Sequence, residues 1–289
     1  MTVVRPDADR AASSGGSRHQ PPHLVAHQFR ADLRCFWRNT QSRFFTLLLP
    51  VLFLVIFASV FRNADVKAPG GRINESVYYV PGIIAYGLIA AAFSNLAVTV
   101  VRAREAGIYK RRRATPLPAS AIIAGRALVG VLTALAMTAV LLVIGWVAYG
   151  ASIPARTAPA FVLDVIAGAA VFCCLGFAVA ILIGNVDAAQ PVTLAIVLPL
   201  CFISGVFIPA GELPGWLVDI GAVFPVRPLA AALLAAYNPR TAGSGLRWGD
   251  LSVLAAWGAA GSSSPCSALA GYPAATNESA TSNHGRTLP

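Results

Sequence analysis

The ionisable residues of this chain gather in one place. Arg102, Arg104, Glu105, Lys110, Arg111, Arg112 and Arg113 follow one another closely, with Gly107 among them, and Thr115-Pro116 closes the run. On a helix, such a run offers guanidinium and ammonium groups to an acidic protein surface or to lipid phosphate. Proline disfavours helical geometry in the residue before it, so Thr115-Pro116 stops the helix and turns the chain. Elsewhere charge is scarce. Arg126 and Asp164 lie near the ends of apolar runs and Asp187 lies in a short turn. Ionisable groups inside a membrane mark pathways or gates by default. Asp164 and Arg126 are therefore candidates for substrate handling or gating.

Other chemistries find no residues to carry them. The chain has no GxxxxGK[ST] phosphate loop, no HExxH and no GxSxG elbow, so ATP hydrolysis, zinc proteolysis and serine esterase chemistry are not expected from it. His19, His23 and His27 are spaced for one helix face, but Pro21 and Pro22 interrupt that helix, and no metal site is expected. The five cysteines form no CxxC pair and three stand inside apolar runs, where cysteine is a small apolar filler. No cofactor is expected to bind the chain directly.

The elements that position these residues are apolar. Of 289 residues, 56% are hydrophobic and 12% charged, against about 25% charged in soluble domains. Runs near the roughly 20-residue length of a membrane span occupy residues 44–61, 77–101, 121–149, 159–184 and 190–208. Residues 209–248 hold two shorter segments that suit interfacial or re-entrant helices. A sixth run starts near Asp250 and stops at Gly261. The expected fold is an all-α integral membrane protein: a six-helix transmembrane bundle with five clear spans and a truncated or marginal sixth.

Both ends differ from this bundle. Residues 1–23 are polar and have the composition of a disordered tail. Over residues 24–43, Val25, Phe29, Leu33, Phe36 and Trp37 adjoin Arg30, Arg34 and Arg38 on a helical wheel, which suits an interfacial amphipathic helix. Residues 262–289 are rich in Ser, Ala, Pro and Asn. A shift of reading frame near residue 261 would give such a polar tail.

The net charge is +10. In a soluble protein that would suggest nucleic acid, but these arginines flank apolar runs and instead orient the chain. The tail to Arg43 and the loop after the second run carry 13 basic residues; the opposite loops carry 7 over a longer stretch. The positive-inside rule places the N-terminus in the cytoplasm.

The stretch 102–128, RAREAGIYKRRRATPLPASAIIAGRAL, resembles a signature of ATP-binding-cassette (ABC) type-2 transporter permeases. Arg104-Glu105-Ala106-Gly107 stands at the opening Arg-Glu-x-Gly, followed by Thr115-Pro116-Leu117, Ile122-Ile123 and Gly125-Arg126. Gly205-Val206-Phe207-Ile208-Pro209, Leu213-Pro214-Gly215-Trp216-Leu217 and Phe224-Pro225 resemble the family's outer-leaflet helices. The resemblance covers residues 24–261 and is nearest the daunorubicin and multidrug-resistance branch. Ile108-Tyr109 departs from the family's usual Thr-Leu.

The resemblance implies a permease subunit of the plasma (inner) membrane that pairs with a second permease subunit, identical or not. Two copies of a separate ATPase would dock beneath. It also implies an ATPase-coupling segment comprising Arg104, Glu105, Gly107, Lys110, Arg111, Arg112, Arg113, Thr115 and Pro116. ATP would act through the partner, driving drugs or other amphipathic compounds outward. Polysaccharide or lipid-linked glycan export is the alternative within the family. A non-transporting membrane scaffold or a membrane-embedded enzyme is the alternative outside it, though no cluster of catalytic polar residues supports the latter.

Overall fold

A backbone at membrane depth has no water to bond and must satisfy its own amides, so apolar runs of this length fold as helices. The computed structural model describes residues 40–61, 65–68, 71–107, 119–150, 152–209, 211–241 and 243–270. The expected interfacial helix over 24–43 lies outside these residues except at its end, as do the tail 1–23, residues 271–289 of the C-terminal tail and the segment 108–118.

Helix α1, Thr40–Val60, keeps Pro50 inside it. Two short strands follow, β1 (Asp65–Ala68) and β2 (Gly71–Asn74), paired antiparallel with Lys67 opposite Arg72. Hydropathy marks this region only as a polar loop. Helix α2 (Glu75–Ile89), a π-helical segment (Ala90–Ser94) and helix α3 (Asn95–Glu105) then run on as one span. Helix α4 is Ala119–Tyr149, α5 is Ala158–Leu182 and α6 is Val186–Ile203. Two shorter helices, α7 (Gly215–Val223) and α8 (Val226–Tyr237), meet at a bend of 97°. The last described helix, α9, is Trp248–Ala270.

Among the described residues, four helices are long and apolar enough to cross a membrane: Tyr78–Glu105, Ala124–Tyr149, Ala158–Leu182 and Val186–Ile203. Helix α1 contributes a shorter described apolar stretch, Leu47–Val60. The all-helical membrane bundle expected from the sequence is the architecture found. The sixth helix extends beyond its apolar run. Gly261 ends the apolar stretch, yet helical backbone continues to Ala270. At 23 residues this helix matches its neighbours in length, so polarity rather than truncation sets it apart.

The α2–α3 span is the axis of the bundle. Ile83, Ile84, Leu88, Ile89, Ala92 and Ala97 are fully buried along it. The π segment lies close against α5: a Cβ added at Gly176 would come within 2.9 Å of the Phe93 carbonyl oxygen. An aromatic group closes one end, with Phe207 stacked on Phe57 and packed edge-on against Phe53. Outward-facing side chains are apolar too. Val143, Trp146 and Val147 of α4 and Leu182 of α5 are all more than half exposed, a surface that suits lipid rather than water.

The hairpin of α7 and α8 dips into the bundle. Thr157, at the start of α5, donates its hydroxyl to the Ala236 carbonyl at 2.6 Å, which fixes the end of α8 level with that helix start. The α7–α8 turn lies deeper. Trp257 Nε1 donates to the Val223 carbonyl at 2.8 Å, and nine helical residues from Trp248 to Trp257 span about 14 Å. Leu229 lies against Gly168, well inside α5. Of the two readings open for these short segments, re-entrant and interfacial, the geometry supports the re-entrant one.

Candidate functional site

Two polar constellations lie at opposite ends of the bundle. The first is built at the end of α3. Arg104 and Glu105 are the last two residues of that helix, so their side chains leave the central span together. The Arg104 guanidinium donates to the carbonyl of Ala180 at 3.4 Å, to that of Gly184 at 3.1 Å and to that of Ile183. These carbonyls belong to the last turn of α5 and the residues just beyond it. The Glu105 carboxylate accepts from the amide of Val186, the first residue of α6, at 2.8 Å. Asn185 caps the same helix by accepting from the Ala188 amide at 2.8 Å.

The electrostatics favour this arrangement. A helix C-terminus carries partial negative charge and an N-terminus partial positive charge. Arg104 meets the former and Glu105 the latter, so two adjacent residues of opposite charge grip both sides of the short α5–α6 turn. Arg126 extends the connection to α4. It is 7% exposed, and its Nη1 donates to the Thr99 carbonyl of α3 at 3.1 Å.

Sequence reasoning placed Arg104 and Glu105 in a coupling segment facing a partner. Within the chain, both are engaged on the α5–α6 turn. Gly107 ends the described part of this region with φ of +65° and open space around its Cα. That conformation favours glycine. Lys110, Arg111, Arg112, Arg113, Thr115 and Pro116 lie outside the described residues.

Asp164 stands apart from this first constellation. It is fully buried in α5, and neither carboxylate oxygen has a hydrogen-bond partner among the described residues. Asp250 of α9 lies within its electrostatic reach. The structure does not bring Asp164 and Arg126 together. One joins α4 to α3; the other is enclosed between helices near the opposite end.

The second constellation is at the Tyr78 end of the bundle, where a cavity of about 470 Å³ opens between α2, α6, the re-entrant hairpin and α9. Its lining includes Tyr78, Ser204, Arg227, Arg247 and Asp250. The Tyr78 hydroxyl donates to the Gly205 carbonyl at 2.8 Å. Gly205 has φ of +82°, the left-handed turn that ends α6. Arg227 Nη1 donates to the Val218 carbonyl, bridging the two helices of the hairpin. Arg247 Nε and Asp250 Oδ2 form an ion pair at 2.6 Å.

Sequence reasoning did not single out Ser204, Arg227, Arg247 or Asp250 as site residues. The one available signal was an arginine, Arg227, between two short apolar segments.

The ABC-2 type transporter family model matches residues 25–237. That interval contains Arg104, Glu105, the α5–α6 turn and the re-entrant hairpin. No curated protein matches the chain.

Proposed function

The chain belongs to the ABC-2 type transporter family, and on that premise we propose that it is the permease subunit of an ATP-driven exporter of drugs or other amphipathic compounds. As a family member it is a multi-pass membrane transport component, of a kind that works with an ATPase subunit. The observation that carries the proposal is the grip of Arg104 and Glu105 on the α5–α6 turn. A separate ATPase docks on the basic segment that follows Gly107, with Lys110, Arg111, Arg112 and Arg113 as its charged contacts. Movement of that segment pulls on the end of α3. Because Arg104 and Glu105 tie α3 to the α5–α6 turn, the pull reaches both of those helices at once.

This reading gives each residue one task. Lys110 to Arg113 dock; Thr115-Pro116 turns the chain back to α4; Arg104 and Glu105 transmit. Arg126 holds α4 to the same span. The N-terminus and the coupling segment face the cytoplasm of a cell's inner membrane, and the Tyr78 end faces outward. A second permease subunit completes the path, and two ATPase copies serve the pair. The apolar outer surfaces of α1 and α4 suit lipid, and the small, mostly apolar cavity suits amphipathic cargo better than a bulky glycan.

A detergent pull-down with the ATPase tests the docking part. Wild-type chain retains the ATPase, and Arg111, Arg112 and Arg113 changed together to Glu release it. Retention unchanged by that reversal counts against a docking role for the segment.

A further inference from the structure

The cavity at the Tyr78 end holds polar groups that coupling does not use. Resting on the exporter reading above, we propose that this cavity is a subsite for the anionic group of an amphipathic molecule, a carboxylate or a phosphate. Arg227 at its floor is the counter-ion and Ser204 a hydroxyl donor.

Arg227 is the second residue of α8 and stands at the deep turn of the re-entrant hairpin. A guanidinium at that depth is costly in a membrane unless it serves a charge or a pathway. Its Nη1 is used on the Val218 carbonyl. The guanidinium carries further N–H donors, and Arg227 lines the cavity. The other two charged lining residues, Arg247 and Asp250, pair with each other, with the Arg247 side chain 46% exposed toward the rim. Asp250 also lies within electrostatic reach of Arg227. Two guanidiniums against this one carboxylate leave the lining with an excess of one positive charge.

Ser204 is an independent observation. It is 4% exposed and lines the same cavity, and its hydroxyl has no hydrogen-bond partner among the described residues. A buried hydroxyl without a partner is costly, and an anionic oxygen in the cavity would accept from it. The rest of the lining, including Leu234 and Val253, is mainly apolar and would hold a hydrocarbon body. A volume of about 470 Å³ falls within the usual range for small-molecule sites.

The anionic group can arrive on a transported amphiphile or on a membrane lipid. The test uses the purified full chain in nanodiscs of phosphatidylcholine, without ATPase or ATP. Dodecanoic acid, dodecanamide and dodecylamine, each with a terminal diazirine, are photo-crosslinked, and the labelled residues are read by mass spectrometry. The acid is expected to label residues of the cavity on the order of 10-fold more than the amide or amine, a fold-change suited to a charge-assisted contact. R227Q should abolish that preference, R227K keep most of it, and S204A weaken it several-fold while leaving the hairpin intact. Added phosphatidylglycerol that displaces the acid identifies a lipid headgroup as the occupant. Failure to displace it identifies a free amphiphile. Equal labelling by all three probes, or a preference that survives both R227Q and S204A, overturns the proposal. Since no ATPase is present, the outcome is independent of the docking test: a chain that retains its ATPase but shows no acid preference loses only this subsite.

Discussion

The carboxylate of Glu105, at the end of α3, accepts a hydrogen bond from the backbone amide of Val186 at the start of α6, 2.8 Å away. The neighbouring Arg104 holds the carbonyls that close α5. Each charge meets the helix end of opposite partial sign. One helix end therefore grips the turn between two others, and the three share their motion.

Removing the acceptor should destabilise the start of α6. E105A leaves the Val186 amide to water, with Asn185 still capping, and a lost cap costs about 0.5–2 kcal/mol. E105Q keeps an acceptor oxygen and should cost less. Thermal ramps read by size-exclusion chromatography in detergent will rank them: wild type above E105Q, and E105Q above E105A. The reverse order would show that the contact does not support the turn.

Glycine at the central crossing should be indispensable. A Cβ at Gly176 meets the Phe93 carbonyl at 2.9 Å, whereas one at Gly184 meets nothing within 4 Å. Backbone atoms of the π segment cannot swing aside as a side chain can. G176A should lower stability by about 1–3 kcal/mol, the range of overpacked sites, and G184A should leave it near wild type. Equal melting temperatures for the two variants would contradict the crossing.

Asp164 should be a stability liability rather than a structural contact. A buried carboxylate without hydrogen-bond partners is costly, and an amide of the same shape carries no charge. D164N is expected to melt at or above the wild-type temperature. A marked drop would reveal a partner that depends on the charge.

The hairpin is held at two levels, by Thr157 at the end of α8 and by Trp257 at the deep turn. T157V and W257F should each cost about 1 kcal/mol, the net worth of one hydrogen bond. The two contacts lie more than about 10 Å apart, so their effects should add in the double variant. Limited proteolysis of residues 209–225 should accelerate in each single variant and most in the double.

Much of this architecture is legible in the sequence. Apolar runs placed the helices, because a membrane leaves the backbone no other option. Length excluded separate spans for the two segments of 209–248, although only the Trp257 and Thr157 contacts distinguish a re-entrant hairpin from an interfacial pair. Hydropathy is silent on backbone register, so the π segment at Ala90–Ser94 and the pairing of β1 with β2 were not readable. The Arg-Glu-x-Gly pattern drew attention to Arg104 and Glu105, but a charge pattern does not name its partner. Their actual partners, Gly184 and Val186, are close to 80 residues away in the chain. The cavity was missed for the same reason: Tyr78, Ser204, Arg227 and Asp250 converge only after the hairpin folds inward. The marginal character of α9 was legible because its apolar run stops at Gly261, but hydropathy did not show that helical backbone continues through Ser, Ala and Pro to Ala270.

The most direct test separates docking from transmission. ATPase retention and ATP-driven efflux of an amphipathic dye should be measured in the same reconstituted vesicles. The samples are wild type, R104A/E105A, and Arg111, Arg112 and Arg113 changed together to Glu. R104A/E105A is expected to retain the ATPase as wild type does, while efflux falls on the order of 10-fold, about 1.4 kcal/mol of lost coupling. The triple reversal loses both. If R104A/E105A instead releases the ATPase, or keeps it with efflux undiminished, these two residues do not carry the motion from the ATPase to the α5–α6 turn.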